Sequence, residues 1–278
     1  MTGMRPALSL LASLLCVTSL VGHAQDRPAA SIHGFVPARL DAQRALEARF
    51  DAQLSTANLK AWLTQLAGRP HHAGSPHGKA NVDFMARLLR ESGYQVEITQ
   101  YDVLFPTPTL RRLELVAPTK FSARLAEPAL AEDALSKLQA EALPTFNMYS
   151  IDGDVTGDLV YVNYGVPADY EALERRGIDV KGKIVIARYG GSWRGIKPKV
   201  AAEHGAIGCL IYSDPRDDGY GQGDVYPKGG YRNEHSAQRG SVSDMPVYPG
   251  DPLTPGVAAK GGVTRPEFTK AQTLTKIP

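Results

Sequence analysis

The sequence predicts an α/β fold, and three short apolar segments separated by helix-compatible stretches carry that prediction. The apolar segments are rich in Val, Ile and Leu, which favours strands; they are residues 159–162, 184–187 and 207–211. Residues 168–176 and 197–204 between them suit helices, and a glycine closes each one. Strands and helices in alternation indicate a sheet with helices packed on it.

Three helices and one strand are expected ahead of residue 105, and strand-like segments over 113–116 and 121–125 are expected between that point and the α/β unit. The helices are predicted from apolar residues at helical spacing and from residues typical of helix starts and stops. The first contains Leu46, Phe50 and Leu54, and the second contains Leu59, Trp62, Leu63 and Leu66 after the possible caps Ser55 and Thr56. The third runs over residues 75–93, from Ser75-Pro76 to Gly93. Residues 94–99 then alternate apolar and polar side chains, which predicts a half-buried strand. A proline-rich break follows Phe105 and suggests a domain boundary there.

Composition places the chain among ordinary globular proteins. Of its 278 residues 43% are hydrophobic and 22% are charged. The 31 basic and 29 acidic residues leave a formal net charge of +2, so no basic field argues for a nucleic-acid partner.

The first 24 residues have the pattern of a signal peptide. Arg5 precedes the apolar stretch 7–21, and Gly22-His-Ala24 ends it with small residues at the cleavage positions. An uncleaved membrane anchor is the alternative, although about fifteen apolar residues are fewer than the roughly twenty that span a bilayer. We expect a secreted or periplasmic protein that has no membrane partner once the leader is removed.

Candidate reactive side chains are few. Cys209 lies in the apolar segment 207–211, which favours an inert core thiol over a nucleophile. His71, His72 and His77 could converge on a metal, but no Asp or Glu lies between Arg69 and Asn81, and the alternative is a turn and helix start held by structural hydrogen bonds. Arg194, in a loop after a predicted strand, could bind a carboxylate with two hydrogen bonds or form a surface ion pair.

Several sequence blocks, in the same order, resemble the front part of glutamate carboxypeptidase II and its relatives, a family of zinc exopeptidases that also includes the non-catalytic transferrin receptor. The blocks include Arg69-Pro-His-His-Ala-Gly-Ser75, Gly182-Lys-Ile-Val-Ile-Ala-Arg-Tyr-Gly190, Tyr212-Ser-Asp-Pro215, Gln238-Arg-Gly240 and Gly250-Asp-Pro-Leu-Thr-Pro-Gly256. After the signal peptide over 1–24, the resemblance implies an α/β chain with the helical opening of a zinc-exopeptidase domain over 25–105. An inserted protease-associated (apical) domain would follow over 106–278, and we expect it to be incomplete at its C-terminus.

The resemblance also assigns residues to sites. Trp193 and Arg194 match the aromatic and the arginine of the pocket for the substrate's C-terminal carboxylate, and Ser241 replaces the asparagine of that pocket. Thr254 and the carbonyl of Val257 match positions that bind a structural calcium. The two zinc ions of the complete enzyme are held by residues that follow the apical domain in the family. We therefore expect no catalytic residue and no bound zinc in this chain alone, and we interpret it as a fragment.

The function expected from the resemblance is that of the N-terminal part of a secreted di-zinc carboxypeptidase or dipeptidase. It would remove a C-terminal, acidic residue from peptides, with this part recognising the free carboxylate, and the complete enzyme could form a homodimer. The alternative is a non-catalytic protein-interaction module of the transferrin receptor type.

Overall fold

A computed structural model describes residues 31–244, 251–257, 264–265 and 274–278. The predicted signal peptide, residues 1–24, lies outside these ranges. The chain divides into two compact units, one up to Lys60 and one from Ala61 onward. None of the helices in the described ranges is long and apolar enough to cross a membrane.

Within the described ranges the chain forms five α-helices and seven strands, besides three short 3₁₀ helices. The helices are α1 (Leu40–Asp51), α2 (Thr56–Leu66), α3 (Pro76–Glu91), α4 (Pro167–Glu174) and α5 (Ile196–Glu203). The strands are β1 (Glu114–Leu115), β2 (Phe121–Ser122), β3 (Asn147–Met148), β4 (Leu159–Tyr161), β5 (Ile184–Arg188), β6 (Gly208–Tyr212) and β7 (Gly240–Ser241). Both kinds of element pack together, so the α/β prediction is confirmed.

The predicted helix starts are present where the sequence places them. Ser55 accepts a hydrogen bond from the amide of Asn58 at the start of α2, at 3.2 Å. Ser75 is buried before α3 and accepts from the amide of Gly78 at 3.1 Å, and Pro76 occupies the first helical position. Helix α1 ends at Asp51, so Leu54 lies beyond the helix that was expected to include it.

The prediction of a strand over residues 94–99 is wrong. These residues form no strand in the structure, and the side chains of Tyr94 and Ile98 are exposed. Alternation alone predicts an extended backbone, but a strand also needs a neighbour with which to exchange hydrogen bonds. The strands expected over 113–116 and 121–125 do pair, as the short antiparallel ladder of β1 and β2.

The parallel sheet formed by β4, β5 and β6 is the centre of the second unit. The strand order is β4-β5-β6, with α4 and α5 as the connecting helices. Residues of β5 alternate between half-buried and buried, with Val185 and Ala187 fully buried. They share one core with side chains from both helices, from the connections between elements and from the last described segment; these are Val162, Tyr170, Val180, Val200, Ala201, Ala206 and Ile277.

Two further pairings join parts of the chain that lie far apart in sequence. Strands β3 and β7 are parallel neighbours, although they lie far apart in sequence. The amide of Cys209 on β6 donates to the carbonyl of Pro278 at 2.9 Å. Cys209 is partly buried against the core, and this burial raises the pKa of its thiol to about 12, which agrees with an unreactive residue.

Candidate functional site

The carboxyl ends of the parallel strands carry the loops that form a cleft of about 420 Å³. Loops after β5 and after β6, together with the segment that leads into β7, supply its lining: Tyr189, Gly190, Ser192, Trp193, Arg194, Asp214, Asp217, Asp218 and Gln238. Open α/β sheets characteristically bind ligands at this edge. The cleft therefore lies where the fold favours a site.

Arg194 is the cation of the cleft. One of its terminal nitrogens donates to Oε1 of Gln238 at 3.3 Å, and its guanidinium carbon lies 5.6 Å from the centre of the Tyr189 ring. Its Nε is buried and has no hydrogen-bond partner. Among the described residues no carboxylate forms an ion pair with Arg194, so the surface ion pair considered as its alternative role is not formed there.

Gly240 on β7 faces the same guanidinium. A Cβ atom built on Gly240 would lie 2.1 Å from Nη1 and 2.3 Å from Cζ of Arg194, which is far inside van der Waals contact. The absence of a side chain at this position is what lets the arginine lie against the strand. Gly240 thus belongs to the site, although in the sequence it stands out only as the end of the block Gln238-Arg-Gly240.

Three carboxylates line the cleft as well, and two of them are neutralised. Asp217 accepts a hydrogen bond from Arg188 at 3.2 Å, and Asp218 accepts one from Arg232 at 2.8 Å.

Asp214, the third carboxylate, instead accepts hydrogen bonds from the backbone amide of Arg216, at 2.9 Å, and from the hydroxyl of Tyr212. The amide bond, followed by the hydroxyl bond, holds the pKa of Asp214 below its usual value, so this side chain is ionised at neutral pH.

The structure brings Trp193 and Arg194 together and does not bring Ser241 with them. Trp193 is 40% exposed at the cleft. Consecutive side chains of a strand point to opposite faces, so Ser241 points away from the face on which Gly240 meets Arg194. Its hydroxyl accepts from the amide of Ser243 at 3.1 Å and is not part of the cleft lining.

The predicted calcium residues lie in a separate turn. Thr254 is buried and its Oγ1 has no hydrogen-bond partner, whereas Val257 is 64% exposed. Both carboxylate oxygens of the nearby Asp251 are engaged, one by the amide of Leu253 at 2.9 Å and the other by Arg265 at 2.6 Å. Calcium takes six to eight oxygen ligands, so these residues alone do not make a calcium site.

The described residues do not fit a catalytic zinc either. Within the described ranges, no group of three or more His, Cys, Asp or Glu side chains could hold a metal. Nδ1 of His71 lies 2.9 Å from the carbonyl of Arg69, and Nδ1 of His72 lies 2.9 Å from the carbonyl of Ala73. His77 contacts the ring of His71 edge to face. A catalytic zinc site uses three protein ligands, and here no third ligand joins His71 and His77.

Comparisons of the sequence with known proteins show which proteins the chain is similar to. The PA domain model matches residues 155–245, which contain the parallel sheet and the cleft. A probable glutamate carboxypeptidase of Arthroderma benhamiae is 40% identical over 200 residues, which is 70% of this chain and 27% of that protein. The aminopeptidase NAALADL1 of Mus musculus is 32% identical over 218 residues, covering 74% of this chain and 29% of the relative.

The chain is a glutamate carboxypeptidase II-like sequence with a PA domain. The resemblance predicted from the sequence blocks is thereby confirmed. The chain spans between a quarter and a third of the length of these two relatives. Among solved structures, the aminopeptidase from Aneurinibacillus sp. strain AM-1 matches 69% of this chain and 36% of its own, at 21% identity and a TM-score of 0.38.

The sequence alone predicts two of the cleft residues, Trp193 and Arg194, but not the residues that contact and orient them. Gln238 and Gly240 were noticed only as part of a family block, because their contacts with Arg194 span more than forty residues. Lys197 was assigned to a helix without a role. One signal was available: Lys197, Val200 and Ala201 recur at the spacing of a buried helix face, where a lysine is unexpected.

Proposed function

We propose that this chain is the substrate-recognising part of a peptidase, and that Arg194 binds the C-terminal carboxylate of a peptide. The names of the relatives, carboxypeptidases and an aminopeptidase, support the peptidase part of the proposal. The guanidinium of Arg194 supports the carboxylate part, because it lies at the cleft, has no carboxylate partner among the described residues and keeps a buried Nε without an acceptor. That guanidinium is the observation on which the proposal depends.

The chemistry of Arg194 suits a carboxylate. A guanidinium offers several N–H donors in one plane, and two of them can bind the two oxygens of one carboxylate. A buried donor without an acceptor costs about 1 to 3 kcal/mol, and a bound carboxylate would supply the acceptor that Nε lacks. Gln238 and Tyr189 meanwhile restrict the guanidinium to one orientation, which lowers the entropy that binding would otherwise cost.

The charges of the cleft favour recognition of the peptide's main-chain carboxylate rather than an acidic side chain. Arg194 is the one cation in the lining that the structure describes, and Asp214 contributes an ionised carboxylate to it. A second acidic group on the ligand would find no cation there. We therefore propose a peptide with a free C-terminus as the ligand and expect its terminal side chain to be read weakly by this cleft.

The proposed role requires no reaction step within this cleft. Trp193 offers an exposed indole against which an apolar part of a peptide can pack, and Arg194 fixes the end of the chain. Zinc chemistry is not assigned to any residue described here, because none of them forms a metal site.

The proposal is tested by titrating the 278-residue chain with N-acetyl-trialanine and, separately, with its C-terminal amide. The two ligands differ only in the terminal charge, and ¹H–¹⁵N NMR measures affinities in the millimolar range. We expect the acid to bind about ten- to a hundredfold more tightly than the amide. Equal affinity for both ligands, or binding of neither, would reject carboxylate recognition and favour the protein-interaction alternative.

A further inference from the structure

Lys197 is a lysine with no exposed surface, three residues beyond Arg194. It lies on α5 and its exposed fraction is 0%. Its Nζ donates to the carbonyl of Tyr164 and, at 2.9 Å, to the carbonyl of Gly190. Burial lowers the pKa of Lys197, because the surroundings disfavour its charged form. A buried ammonium is costly unless hydrogen-bonded, so its partners indicate what the residue does.

Both partner carbonyls lie in loops at the carboxyl edge of the sheet. Tyr164 follows β4, and its ring packs against the glycines that begin the loop after β5. Gly190 and Gly191 have φ of +97° and +74°, and a Cβ built on Gly191 would lie 2.9 Å from Cβ of Tyr164. The left-handed backbone and this close approach both require glycine there. The loop therefore lies pressed onto the Tyr164 turn, and the ammonium joins the two.

Lys197 also closes the loop at its other end. Its backbone amide donates to the carbonyl of Arg194 at 3.2 Å, while its Nζ binds Gly190 at the loop's beginning. One residue thus holds both ends of segment 190–194, and the guanidinium of Arg194 projects from that segment into the cleft. Within the described ranges, both hydrogen-bond acceptors of the Lys197 Nζ lie in these two loops.

We propose that Lys197 is a positioning residue for the carboxylate site: it fixes segment 190–194 on the sheet so that Arg194 is held in the orientation that binds a peptide C-terminus. This inference rests on the proposed function of Arg194. Lys197 itself does not touch the ligand, and its effect passes through Arg194.

The first test compares Lys197→Met with the unaltered chain in the titrations with N-acetyl-trialanine and its amide. Methionine keeps the length and apolar stem of lysine and removes the donors for both carbonyls. We expect the acid-to-amide affinity ratio to fall from at least about tenfold to below about threefold. In an Arg194→Ala background the same substitution should change acid binding by less than about twofold, because the two residues act through one contact.

A second variant alters segment 190–194 directly and leaves Lys197 unchanged. Gly190→Ala forces a side chain into a left-handed position and turns the Gly190 carbonyl away from Nζ. Its matched control is Gly177→Ala, at φ +72° with no atom within 4 Å of the added Cβ, after α4. We expect Gly190→Ala to lower the acid-to-amide ratio as Lys197→Met does, and Gly177→Ala to leave the ratio unchanged.

The possible outcomes distinguish the positioning role of Lys197 from carboxylate binding by Arg194. If the unaltered chain shows no preference for the acid, both proposals are overturned. If it prefers the acid and Arg194→Ala abolishes that preference, the function stands; a folded Lys197→Met or Gly190→Ala that keeps the preference then overturns the positioning role alone. A Lys197→Met variant that is less stable but keeps the acid-to-amide affinity ratio also overturns the positioning role, because a purely structural lysine would not change that ratio.

Discussion

Replacing Arg194 by alanine is the perturbation whose consequences the structure defines most closely. The substitution removes a guanidinium that has a 3.3 Å hydrogen bond to Gln238, a contact with the Tyr189 ring and no carboxylate partner within the described ranges. The free protein therefore loses little. Since one long hydrogen bond and one ring contact disappear, we expect the free energy of unfolding to change by no more than about 1 kcal/mol.

The effect on binding should be much larger. Hydrogen bonds to charged groups contribute about 1.5 to 3 kcal/mol, which corresponds to roughly a ten- to a hundredfold loss in affinity for a peptide with a free carboxylate. The peptide amide lacks the charge, so its affinity should change by less than about twofold. The substitution should thus bring the two ligands to nearly equal affinity.

The assay is the paired titration of the variant with N-acetyl-trialanine and its amide, followed by urea unfolding. Arg175→Ala is the matched control, because it removes an exposed arginine that lies 3.7 Å from Glu171 on α4 and is not part of the cleft lining. An equal loss for acid and amide would refute the reasoning. So would a large loss of stability with unchanged binding.

Three further substitutions follow from particular contacts. Gly240→Ala places a Cβ 2.1 Å from Arg194 and should weaken acid binding by about tenfold in the same titration, whereas Gly230→Ala, with open space around it, should not; equal effects would contradict the seating of the guanidinium on β7. Ser75→Ala removes the cap of α3 and should lower the free energy of unfolding by about 1 kcal/mol in urea, so an unchanged midpoint would contradict the capping role. The Cys209 pKa rises from 9.0 to about 12, so the unfolded thiol ionises first and stability should fall as pH rises from 9 towards 12. Urea unfolding at pH 8 and pH 10 should show that Cys209→Ala loses about 1 kcal/mol less than the unaltered chain over this interval, and identical losses would show that the thiol is not buried.

The central sheet could be predicted from the sequence because its signals are local. Each apolar run over 159–162, 184–187 and 207–211 is long enough to be a strand, and the glycine-closed helices between them supply the crossovers that parallel pairing needs. The prediction for 94–99 failed because strand formation depends on a partner, and alternation within six residues contains no information about one. Strands β3 and β7 were missed for the same reason, since each has two residues and its partner lies far away in sequence.

The site was predictable only in part. Arg194 could be singled out because its loop follows a strand and matches a family block. Its orientation depends on Gln238, Gly240 and the buried Lys197, and these contacts exist only after distant segments have packed. Ser241 shows the converse, because a residue one position from the site in sequence lies on the opposite face of its strand.

The position of a bound carboxylate tests the central claim most directly. A crystal structure of the 278-residue chain with N-acetyl-trialanine would locate it. We expect the terminal carboxylate to lie within about 3 Å of the guanidinium nitrogens of Arg194, with Nε among its donors. A peptide bound elsewhere, or one in the cleft whose carboxylate faces solvent while Nε stays unpartnered, would contradict it.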